Sequence, residues 1–259
     1  MKISIVTISF NQAEFLERAI CSVVEQDHED IEYIVVDPGS TDGSREIIER
    51  YRNRISKVIF EPDNGPADGL NKGFSTATGD VLGFINADDA LLPGTLNYVA
   101  NYFLEYKRMD VLLGAGFVID EFDNVLRRIL PSDFSIRRYV TGGFEFIQQG
   151  MFFRQAAFLA TGGFNTDNRT SWDGELLLDM GLAGKRVGRC DENLGLFRIH
   201  NDSISGSGRL NEAYERDQAR LFKKVMGRER RKIDDFSGLL YRFQKVIRAP
   251  LFYWRRMNK

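Results

Sequence analysis

Residues 31–44 read IEYIVVDPGSTDGS, a β-branched run that ends at Asp37 and continues into a turn rich in Gly, Ser and Asp. The run is typical of a buried strand, and Ser44 can cap a helix that extends to about Tyr51. The same unit precedes it, because a strand pattern over residues 2–9 is followed by apolar residues at helical spacing from Leu16 to Val24. Two consecutive strand–helix units predict an α/β fold with a mostly parallel sheet flanked by helices.

Two further strand–helix units follow, and then the pattern changes. They comprise strands over residues 57–60 and 81–85 and helices over about 67–77 and 93–106. After Asp110, a hairpin is predicted over 111–120 and 125–129, and a polar helix near 210–226. The second half is therefore expected to be α+β.

The composition is that of an ordinary globular protein. Of the 259 residues, 43% are hydrophobic and 28% are charged, which excludes a disordered or fibrous chain. The longest nearly apolar run, residues 111–119, is far shorter than the roughly 20 residues of a membrane-spanning helix. No signal peptide is recognised, so a cytoplasmic location is predicted. Cys21 and Cys190 are isolated in the sequence, which predicts two reduced core residues instead of a zinc site or a disulfide.

The net charge of −2 conceals an asymmetry between a body and a tail. Residues 220–259 contain 13 Lys and Arg against three acids, net +10, which leaves 22 against 34, net −12, for residues 1–219. Because apolar residues at helical spacing accompany the basic ones, we expect a basic amphipathic helix that binds an anionic membrane surface. The alternative is a helix for core packing or for a homodimer. Nucleic acid is not predicted as a partner, because no binding motif accompanies the charge.

Acidic residues follow two of the predicted strands. Asp37 ends one strand and Asp42 lies in the turn after it, where both can accept hydrogen bonds from a ribose or a base; the alternative is a plain capped turn. Asp88 and Asp89 follow the strand over 81–85. Carboxylate oxygens suit Mg²⁺ or Mn²⁺, which take further ligands from substrate phosphates, so this pair predicts a metal clamp on a diphosphate. Its alternative is the acidic first turn of a helix.

Four segments occur in a fixed order: the strand over 3–9 leading to Asn11, IEYIVVD with PGSTDGS, EPDNGPADGLNKGFSTATGD (61–80) and FINADD (84–89). In this order and spacing they resemble family 2 glycosyltransferases, over about residues 1–205. The resemblance implies the Rossmann-like GT-A fold and the inverting transfer of a sugar from a UDP-sugar or other nucleotide-diphosphate sugar. It also divides the body into a nucleotide-binding half, 1–109, and a smaller acceptor half, 110–219, ahead of the tail, 220–259.

The resemblance places the donor site in the nucleotide-binding half. The residues that it implies are Thr7, Phe10 and Asn11 along the base pocket, Asp37 and Asp42 at the nucleoside, and Asp68 and Asp88 elsewhere on the nucleotide sugar. Asp88 and Asp89 form the family's Asp-X-Asp-like metal motif, with Mn²⁺ or Mg²⁺ as cofactor. Asn86 stands where many members carry the first acid.

The catalytic base is expected in the acceptor half. Residues 171–176, SWDGEL, look like the family's base-bearing segment before a helix, here predicted over Leu176 to Leu182. Inverting transfer needs a carboxylate that takes the acceptor hydroxyl's proton, a role worth about 10²–10⁴ in rate. Asp173 is the predicted base and Glu175 the second candidate, and the alternative is that either acid only caps the helix. The residues predicted on the acceptor side are Gln148, Gln149, Arg154 and Trp172.

The chain has two histidines. His28 lies in a polar connection and is expected to be a solvated loop residue. His200 precedes residues 201–205, which resemble the family's loop over the donor diphosphate. His200 is therefore predicted either to complete the metal shell or to bond a phosphate, with a structural role at a strand end as the alternative.

Three functions are consistent with these features. The first is a metal-dependent glycosyltransferase that adds one sugar to a glycan or lipid-linked acceptor; the processive signature Gln-X-X-Arg-Trp is absent, which favours single addition. The second is a sugar nucleotidyltransferase, which is disfavoured because residues 1–20 contain no Gly for a triphosphate loop. The third is a catalytically silent protein that binds nucleotide sugars, which observed donor hydrolysis would exclude.

Overall fold

The computed structural model describes residues 1–201, 203 and 210–248. Asp202, residues 204–209 and residues 249–259 lie outside this part. They include most of the segment that resembles the diphosphate loop and the end of the predicted tail.

Four parallel strands form the N-terminal part of a single sheet. They are β1 (Ile3–Ile8), β2 (Ile31–Val36), β3 (Lys57–Ile59) and β4 (Val81–Asn86), in the order β3-β2-β1-β4. In the centre, Ile5 of β1 pairs with Tyr33 of β2 on one side and with Gly83 of β4 on the other. The four strands that the sequence predicts are all present, and the α/β fold class is confirmed.

Helices cover both faces of these strands, which explains why the strands are apolar on both sides. The helices are α1 (Ala13–Val24), α2 (Ser44–Arg50), α3 (Pro66–Phe74) and α4 (Thr95–Glu105). Alternate residues of a strand face opposite layers. Ile5 of β1 packs in one cluster with Leu16 of α1 and Phe103 of α4, whereas Val6 packs in the other with Phe74 of α3. Each such fully buried side chain contributes about 1.5–3 kcal/mol.

The same sheet continues into the acceptor half in mixed orientation. Its remaining strands are β5 (Ala90–Leu91), β6 (Val111–Ile119), β7 (Val125–Ile129), β8 (Met151–Arg154) and β9 (Val187–Arg198). The order continues as β4-β8-β6-β9-β5, and β7 pairs with β6 as the predicted hairpin. β8 runs antiparallel to both of its neighbours, whereas β6 and β9 are parallel. The short strands β5 and β8 are not predicted by the sequence.

The described part of the second half contains five helices. They are α5 (Ile136–Val140), α6 (Gln155–Leu159), α7 (Trp172–Leu182), α8 (Asn211–Met226) and α9 (Lys232–Arg248). The one-turn helices α5 and α6 are not predicted. α7 begins at Trp172 and not at Leu176, so that Asp173 and Glu175 lie in its first turn instead of in front of it.

The predicted boundary between body and tail, at residue 220, falls inside α8. Leu221 and Phe222 of this helix are fully buried and pack with Val140 of α5 and Leu178 of α7. The first part of the predicted tail therefore belongs to the body. Within the described ranges, no helix combines the length and the apolarity that crossing a bilayer would require.

Three minor predictions need correction. Cys21 and Cys190 are free thiols, as expected, but both are partly exposed, and Cys190 packs against the edge of the core. His28 is not simply solvated. Its ring nitrogens lie 3.2 Å from Asn97 Oδ1 and 2.8 Å from the carbonyl oxygen of Met1, so it ties the first residue to the start of α4.

Candidate active site

A cavity of about 960 Å³ lies at the carboxyl ends of β1 and β4 and is lined by both halves of the chain. Six of the lining residues from residues 110–219 are aromatic, namely Tyr139, Phe144, Phe146, Trp172, Phe197 and Tyr214. Among the described lining residues, the groups that carry charge are those of Asp63, Asp88, Arg127, Glu145 and Asp173. The crevice beyond the carboxyl ends of parallel strands is where ligands bind in open α/β sheets.

Asp37 organises the loop that follows β2. Its Oδ1 accepts hydrogen bonds from the backbone N–H groups of Gly39 (3.0 Å) and Ser40 (2.8 Å) and from Arg45 Nε (3.0 Å). Its Oδ2 is buried and has no partner within the described chain. A buried carboxylate oxygen without a partner is costly, and a donor group of a bound ligand would satisfy it.

Asp42 and Asn11 join the loops after β1 and β2 and do not line the cavity. Asp42 accepts hydrogen bonds from Ala13 N (2.8 Å) and from the Ser44 hydroxyl (2.6 Å). Burial alone would raise the pKa of Asp42, but the bonds from Ser44 and Ala13 outweigh it and lower this pKa. Asn11 has a left-handed backbone (φ 51°), donates through its N–H to Ser40 Oγ at 2.8 Å and accepts from the N–H of Thr41.

Of the other two residues implied for the base pocket, Phe10 lines the cavity and Thr7 does not. Thr7 is buried in the core, where its hydroxyl accepts a hydrogen bond from Tyr33 at 3.0 Å, and it does not reach the cavity. Phe10 does line the cavity, and 59% of its surface is exposed. An exposed aromatic ring at a strand end offers a flat apolar surface to a base.

In the segment before α3, the cavity is lined by Asp63 and not by the predicted Asp68. Asp68 accepts from the N–H of Asn64 at 2.9 Å and pairs with Lys72 at 3.5 Å, outside the cavity. Asp63 Oδ1 accepts from the N–H of Gly65, and burial raises the pKa of Asp63. Both acids lie in the stretch that carries the resemblance, and the sequence prediction named Asp68 where the structure places Asp63 at the cavity.

Asp88 and Asp89 face opposite directions. Asp88 lines the cavity, and its Oδ2 lies 3.1 Å from Nε2 of His200. Asp89 is buried, and its oxygens accept hydrogen bonds from Arg198 N (3.0 Å), Asn86 Nδ2 (3.0 Å) and Gln149 Nε2 (2.6 Å). Burial, and then the charge of Asp88, raise the pKa of Asp89 well above its ordinary value. The predicted clamp of two carboxylates is therefore corrected to one cavity-facing carboxylate, that of Asp88.

Arg198, which the sequence analysis did not select, holds the turn that contains Asp88. Its side chain is 2% exposed, and its Nε donates to the backbone carbonyl of Asp88 at 2.8 Å. The guanidinium also pairs with Asp123 at 2.7 Å and lies 4.8 Å over the ring of Phe15. A lone arginine within the apolar run 194–199 is the sequence signal that would have indicated it.

The described residues fit a metal ion with few protein ligands. No cluster of three or more His, Cys, Asp or Glu side chains suited to a metal occurs in the described part of the chain. Asp88 nevertheless offers a cavity-facing carboxylate beside the imidazole of His200, and its Oδ1 accepts no hydrogen bond from a described residue. Mn²⁺ and Mg²⁺ accept such a sparse ligand set when water and phosphate oxygens complete it.

Asp173 and Glu175 occupy very different surroundings although both lie in the first turn of α7. Asp173 is half-buried, lines the cavity beside Tyr139 and has no side-chain hydrogen-bond donor among the described residues. Burial raises the pKa of Asp173 above its ordinary range. A partly desolvated carboxylate that is free to accept a proton is what a general base requires.

Both carboxylate oxygens of Glu175, by contrast, accept hydrogen bonds from other side chains of the protein. Arg220 of α8 donates two bonds to it, at 2.7 and 2.6 Å, and Asn165 and Asn168 donate one each, at 3.1 and 2.7 Å. Burial alone would raise the pKa of Glu175, but the bonds from Arg220 and Asn168 lower it. Both oxygens are engaged, and this carboxylate connects α7 to α8.

The residues predicted on the acceptor side are only partly brought together. Gln148, Gln149 and Trp172 line the cavity. Arg154 does not, because it pairs with Val81 at the opposite end of β4, where it donates to the carbonyl oxygens of Met109 (2.9 Å) and Phe103 (2.8 Å). Gln148 and Gln149 each leave a buried Oε1 without a described partner.

A mostly parallel sheet with strand-end acids that face aromatic side chains across one cavity is an arrangement in which open α/β proteins bind ligands. Residues 4–163 match the family model described as glycosyl transferase family 2, and the chain belongs to this family. An uncharacterized glycosyltransferase of Nostoc sp. is 29% identical over 232 residues, which cover 85% of this chain and 72% of the relative.

Solved structures with the same fold include two glycosyltransferases. S. aureus TarS 1–349 in complex with UDP-GlcNAc has a TM-score of 0.70 at 19% identity, over 93% of this chain and 70% of that chain. A longer TarS structure is covered over 43% of its length. The mannosyltransferase PcManGT from Pyrobaculum calidifontis, in complex with GDP-Man and Mn²⁺, has a TM-score of 0.66 at 17% identity, over 93% and 68% of the two chains. The likeness confirms the predicted GT-A fold.

Proposed function

We propose that this protein transfers one sugar from a nucleotide-diphosphate sugar to an acceptor hydroxyl, with inversion at the anomeric carbon. The observation that carries the proposal is the position of Asp88 and Asp173, which line one cavity from opposite halves of the chain. Inversion requires such a separation, because the acceptor oxygen attacks from the face opposite the leaving diphosphate.

Asp173 acts as the general base. Its carboxylate takes the proton of the acceptor hydroxyl while that oxygen bonds to the anomeric carbon and the bond to the donor's diphosphate oxygen breaks. Burial raises the pKa of Asp173, which makes the ionised carboxylate a stronger proton acceptor. Glu175 is the weaker candidate for the general base, because its two oxygens accept hydrogen bonds from Arg220, Asn165 and Asn168.

The nucleoside binds along the loops after β1 and β2. Asp37 offers its buried, unpartnered Oδ2 to a donor group of the base or ribose, and Phe10 offers an exposed ring to the base. Asp42 and Asn11 act indirectly, since they fix the two loops to each other. The UDP-GlcNAc and GDP-Man in the two structures of the same fold support a nucleotide sugar as donor but leave the base open.

A divalent cation, Mn²⁺ or Mg²⁺, belongs to the proposal. Asp88 and His200 would hold it, and Asp89 would not, because its oxygens accept hydrogen bonds from the protein. When bound, such an ion neutralises the charge that develops on the leaving diphosphate. The Mn²⁺ in the PcManGT complex supports this assignment. A cation would also offset the acidic balance of residues 1–219, whose net charge is −12.

The acceptor is a glycan or a lipid-linked glycan. The aromatic wall formed by Tyr139, Phe144, Phe146, Trp172 and Tyr214 suits the apolar faces of sugar rings. Gln148 and Gln149 line the same cavity and can bond sugar hydroxyls through their unpartnered oxygens.

The experiment is a screen of nucleotide sugars for binding and for slow hydrolysis by the purified protein, with Mn²⁺, with Mg²⁺ and with EDTA. We expect one nucleotide sugar to bind and to be hydrolysed slowly in a metal-dependent manner. Binding of a nucleotide sugar without hydrolysis or transfer to any acceptor would instead favour the catalytically silent protein.

A further inference from the structure

Helix α9 presents an exposed apolar stripe that no described part of the chain covers. The stripe consists of Ile233, Phe236, Leu239, Leu240 and Phe243, whose exposed fractions lie between 49% and 69%. At 100° per residue these positions share one side of the helix. Single exposed apolar residues are ordinary, but five on one helix face mark an interaction site.

The opposite side of α9 packs against the wall of the active-site cavity. Gly238 lies so close to the carbonyl oxygen of Thr141 that a Cβ there would clash, and Tyr241 packs on Gly143. Arg230, just before the helix, donates to the same Thr141 carbonyl at 3.2 Å. The next residues on that loop, including Gly142 and Phe144, line the cavity beside Tyr139. The apolar stripe is therefore about one helix diameter, roughly 10 Å, from the acceptor side of the cavity.

The charge around the stripe selects an anionic partner. Residues 220–259 carry a net +10, but Arg220 and Lys224 pair with acids of the body, so the charge that accompanies the stripe is that of residues 225–259, with 10 Lys and Arg against three acids, net +7. All three of these acids are ion-paired: Asp234 with Arg228, Asp235 with Arg230 and Glu229 with Lys223. Two copies of this chain that met through α9 about a two-fold axis would bring two such tails together, and like charges would oppose the contact. An anionic lipid surface attracts the tail and also receives the apolar side chains.

We propose that the stripe of α9 inserts into the surface of an anionic lipid bilayer, so that the acceptor wall of the cavity lies at the membrane and the acceptor is carried on a lipid. The inference rests on the proposed function for the identity of the reaction, and on the stripe alone for the membrane contact. Of the two acceptor classes in the proposed function, a glycan and a lipid-linked glycan, the inference specifies the lipid-linked one.

The membrane contact is tested with the full-length protein and two double variants. Phe236→Ser with Leu240→Ser removes two side chains of the stripe, and Phe122→Ser with Leu159→Ser removes the same side-chain types from exposed positions elsewhere. Sedimentation is measured with phosphatidylglycerol/phosphatidylcholine vesicles and with pure phosphatidylcholine vesicles. We expect binding to the anionic vesicles that weakens with salt and falls at least about tenfold in the stripe variant but not in the matched control. Equal binding by all three proteins, or none by the wild type, would overturn the proposal.

Two further measurements separate this proposal from the proposed function. Light scattering without vesicles gives the oligomeric state, and a dimer that only the stripe variant loses would assign the stripe to a second copy instead of a bilayer. Labelled donor is also incubated with membranes of the source organism, and label in the organic extract supports a lipid-linked acceptor, whereas label only in water-soluble glycan overturns it. If donor binds but vesicles do not, the membrane inference fails and the transferase stands. If vesicles bind but no nucleotide sugar does, the proposed function fails.

Discussion

Each half of the chain brings a pair of neighbouring acids to the cavity, and the two pairs are divided in the same way. In the nucleotide-binding half, Asp88 lines the cavity while Asp89 is buried in hydrogen bonds with the protein. In the acceptor half, Asp173 lines the cavity while Glu175 is held by Arg220 and two asparagines. In both places one carboxylate faces the cavity and its neighbour fixes the segment that carries it.

The pairs differ in the groups that donate hydrogen bonds to the carboxylate that the protein itself holds, Asp89 in one pair and Glu175 in the other. The donors to Asp89 are two side-chain amides and a backbone N–H, so burial dominates and the pKa of Asp89 is raised. Glu175 faces the guanidinium of Arg220, so its pKa is lowered despite burial. A buried carboxyl group with only neutral donors has a raised pKa and can hold a proton, whereas one paired with a cation has a lowered pKa and stays charged. The four acids should therefore respond differently to substitution and to pH.

The largest effect is expected for the cavity-facing acid of α7. Asp173→Asn keeps the size of the side chain but cannot take a proton, so transfer should fall by about 10²-fold or more while donor binding persists. Asp179→Asn on the same helix is the matched control, because Asp179 pairs with Lys224 away from the cavity. A transfer assay at saturating donor measures both. A nearly active Asp173→Asn beside an inactive Glu175→Gln would identify Glu175 as the base.

The next largest effect should separate Asp88 from its neighbour. Asp88→Asn removes the cavity-facing carboxylate, and affinity for the donor should fall by about 10- to 100-fold, since even outer-shell partners of a metal ligand have effects of that size. EDTA should have a similar effect on the wild type and little further effect on the variant. Calorimetric titration with the donor measures this. Donor binding that is indifferent to both EDTA and the substitution would exclude the metal role of Asp88.

A smaller effect is expected where the pair in the acceptor half is tied to α8. Arg220→Met leaves Glu175 buried with two amide donors, and with Lys224 as a more distant cation at 3.9 Å. The free energy of unfolding should fall by roughly 1 kcal/mol, a modest value because 40% of the Arg220 side chain is exposed. Lys223→Met is the control, since its pairing with Glu229 is largely exposed on both sides. Urea unfolding measures both variants, and equal losses would show that the Arg220 contact adds nothing specific.

The smallest effect is expected for Asp89→Asn, with a change in pH dependence as its signature. The side-chain oxygens of Asn86 and Gln149 are unpartnered, so rotation of both amides would let them accept from the new amide group. The loss of stability should stay below about 1 kcal/mol at acidic pH.

The sign of the pH effect follows from the direction of the pKa shift. Because the folded-state pKa of Asp89 is raised, its contribution to stability is complete below the unfolded value of about 4 and is lost as pH rises through the folded value. Asp89→Asn should remove that loss. Glu175, whose pKa is lowered, loses its contribution to stability as pH falls below about 4. Glu175→Gln should therefore reduce the loss of stability at acidic pH. Thermal unfolding against pH distinguishes the two variants, and parallel curves would contradict the opposite shifts.

The sequence predicted this fold well because its main signals are local. Alternation in β1 and the spacing of Leu16 to Val24 fix a strand and a helix within a few residues of each other. The acids at the strand ends are equally visible in the sequence, and of Asp37 and Asp88 the structure places Asp88 in the lining of the cavity. The strands β5 and β8 were missed because two and four residues are too few to show a period.

The division within each acid pair could not be predicted, because it depends on partners far away in the chain. Asp89 is held by Gln149 and Arg198, which are 60 and 109 residues away, and Glu175 by Arg220, which is 45 residues away. Arg154 was misplaced for a related reason. Its neighbours Gln148 and Gln149 lie at the cavity, but β8 then runs antiparallel to β4 and carries Arg154 to the opposite end of the sheet.

The insertion of β9 between β6 and β5 has a consequence for the order in which this protein folds during synthesis. β1 to β4 and their helices involve mainly neighbouring units, and such units can form as soon as they leave the ribosome. β5, which directly follows Asp89, finds its partner only when Gly195 and Leu196 have been made. Arg198 arrives with the same strand and then holds the turn at Asp88. A nascent chain that ends before β9 is therefore expected to have its first four strands but no anchor for the turn at Asp88, which is held only when most of the second half of the chain is in place.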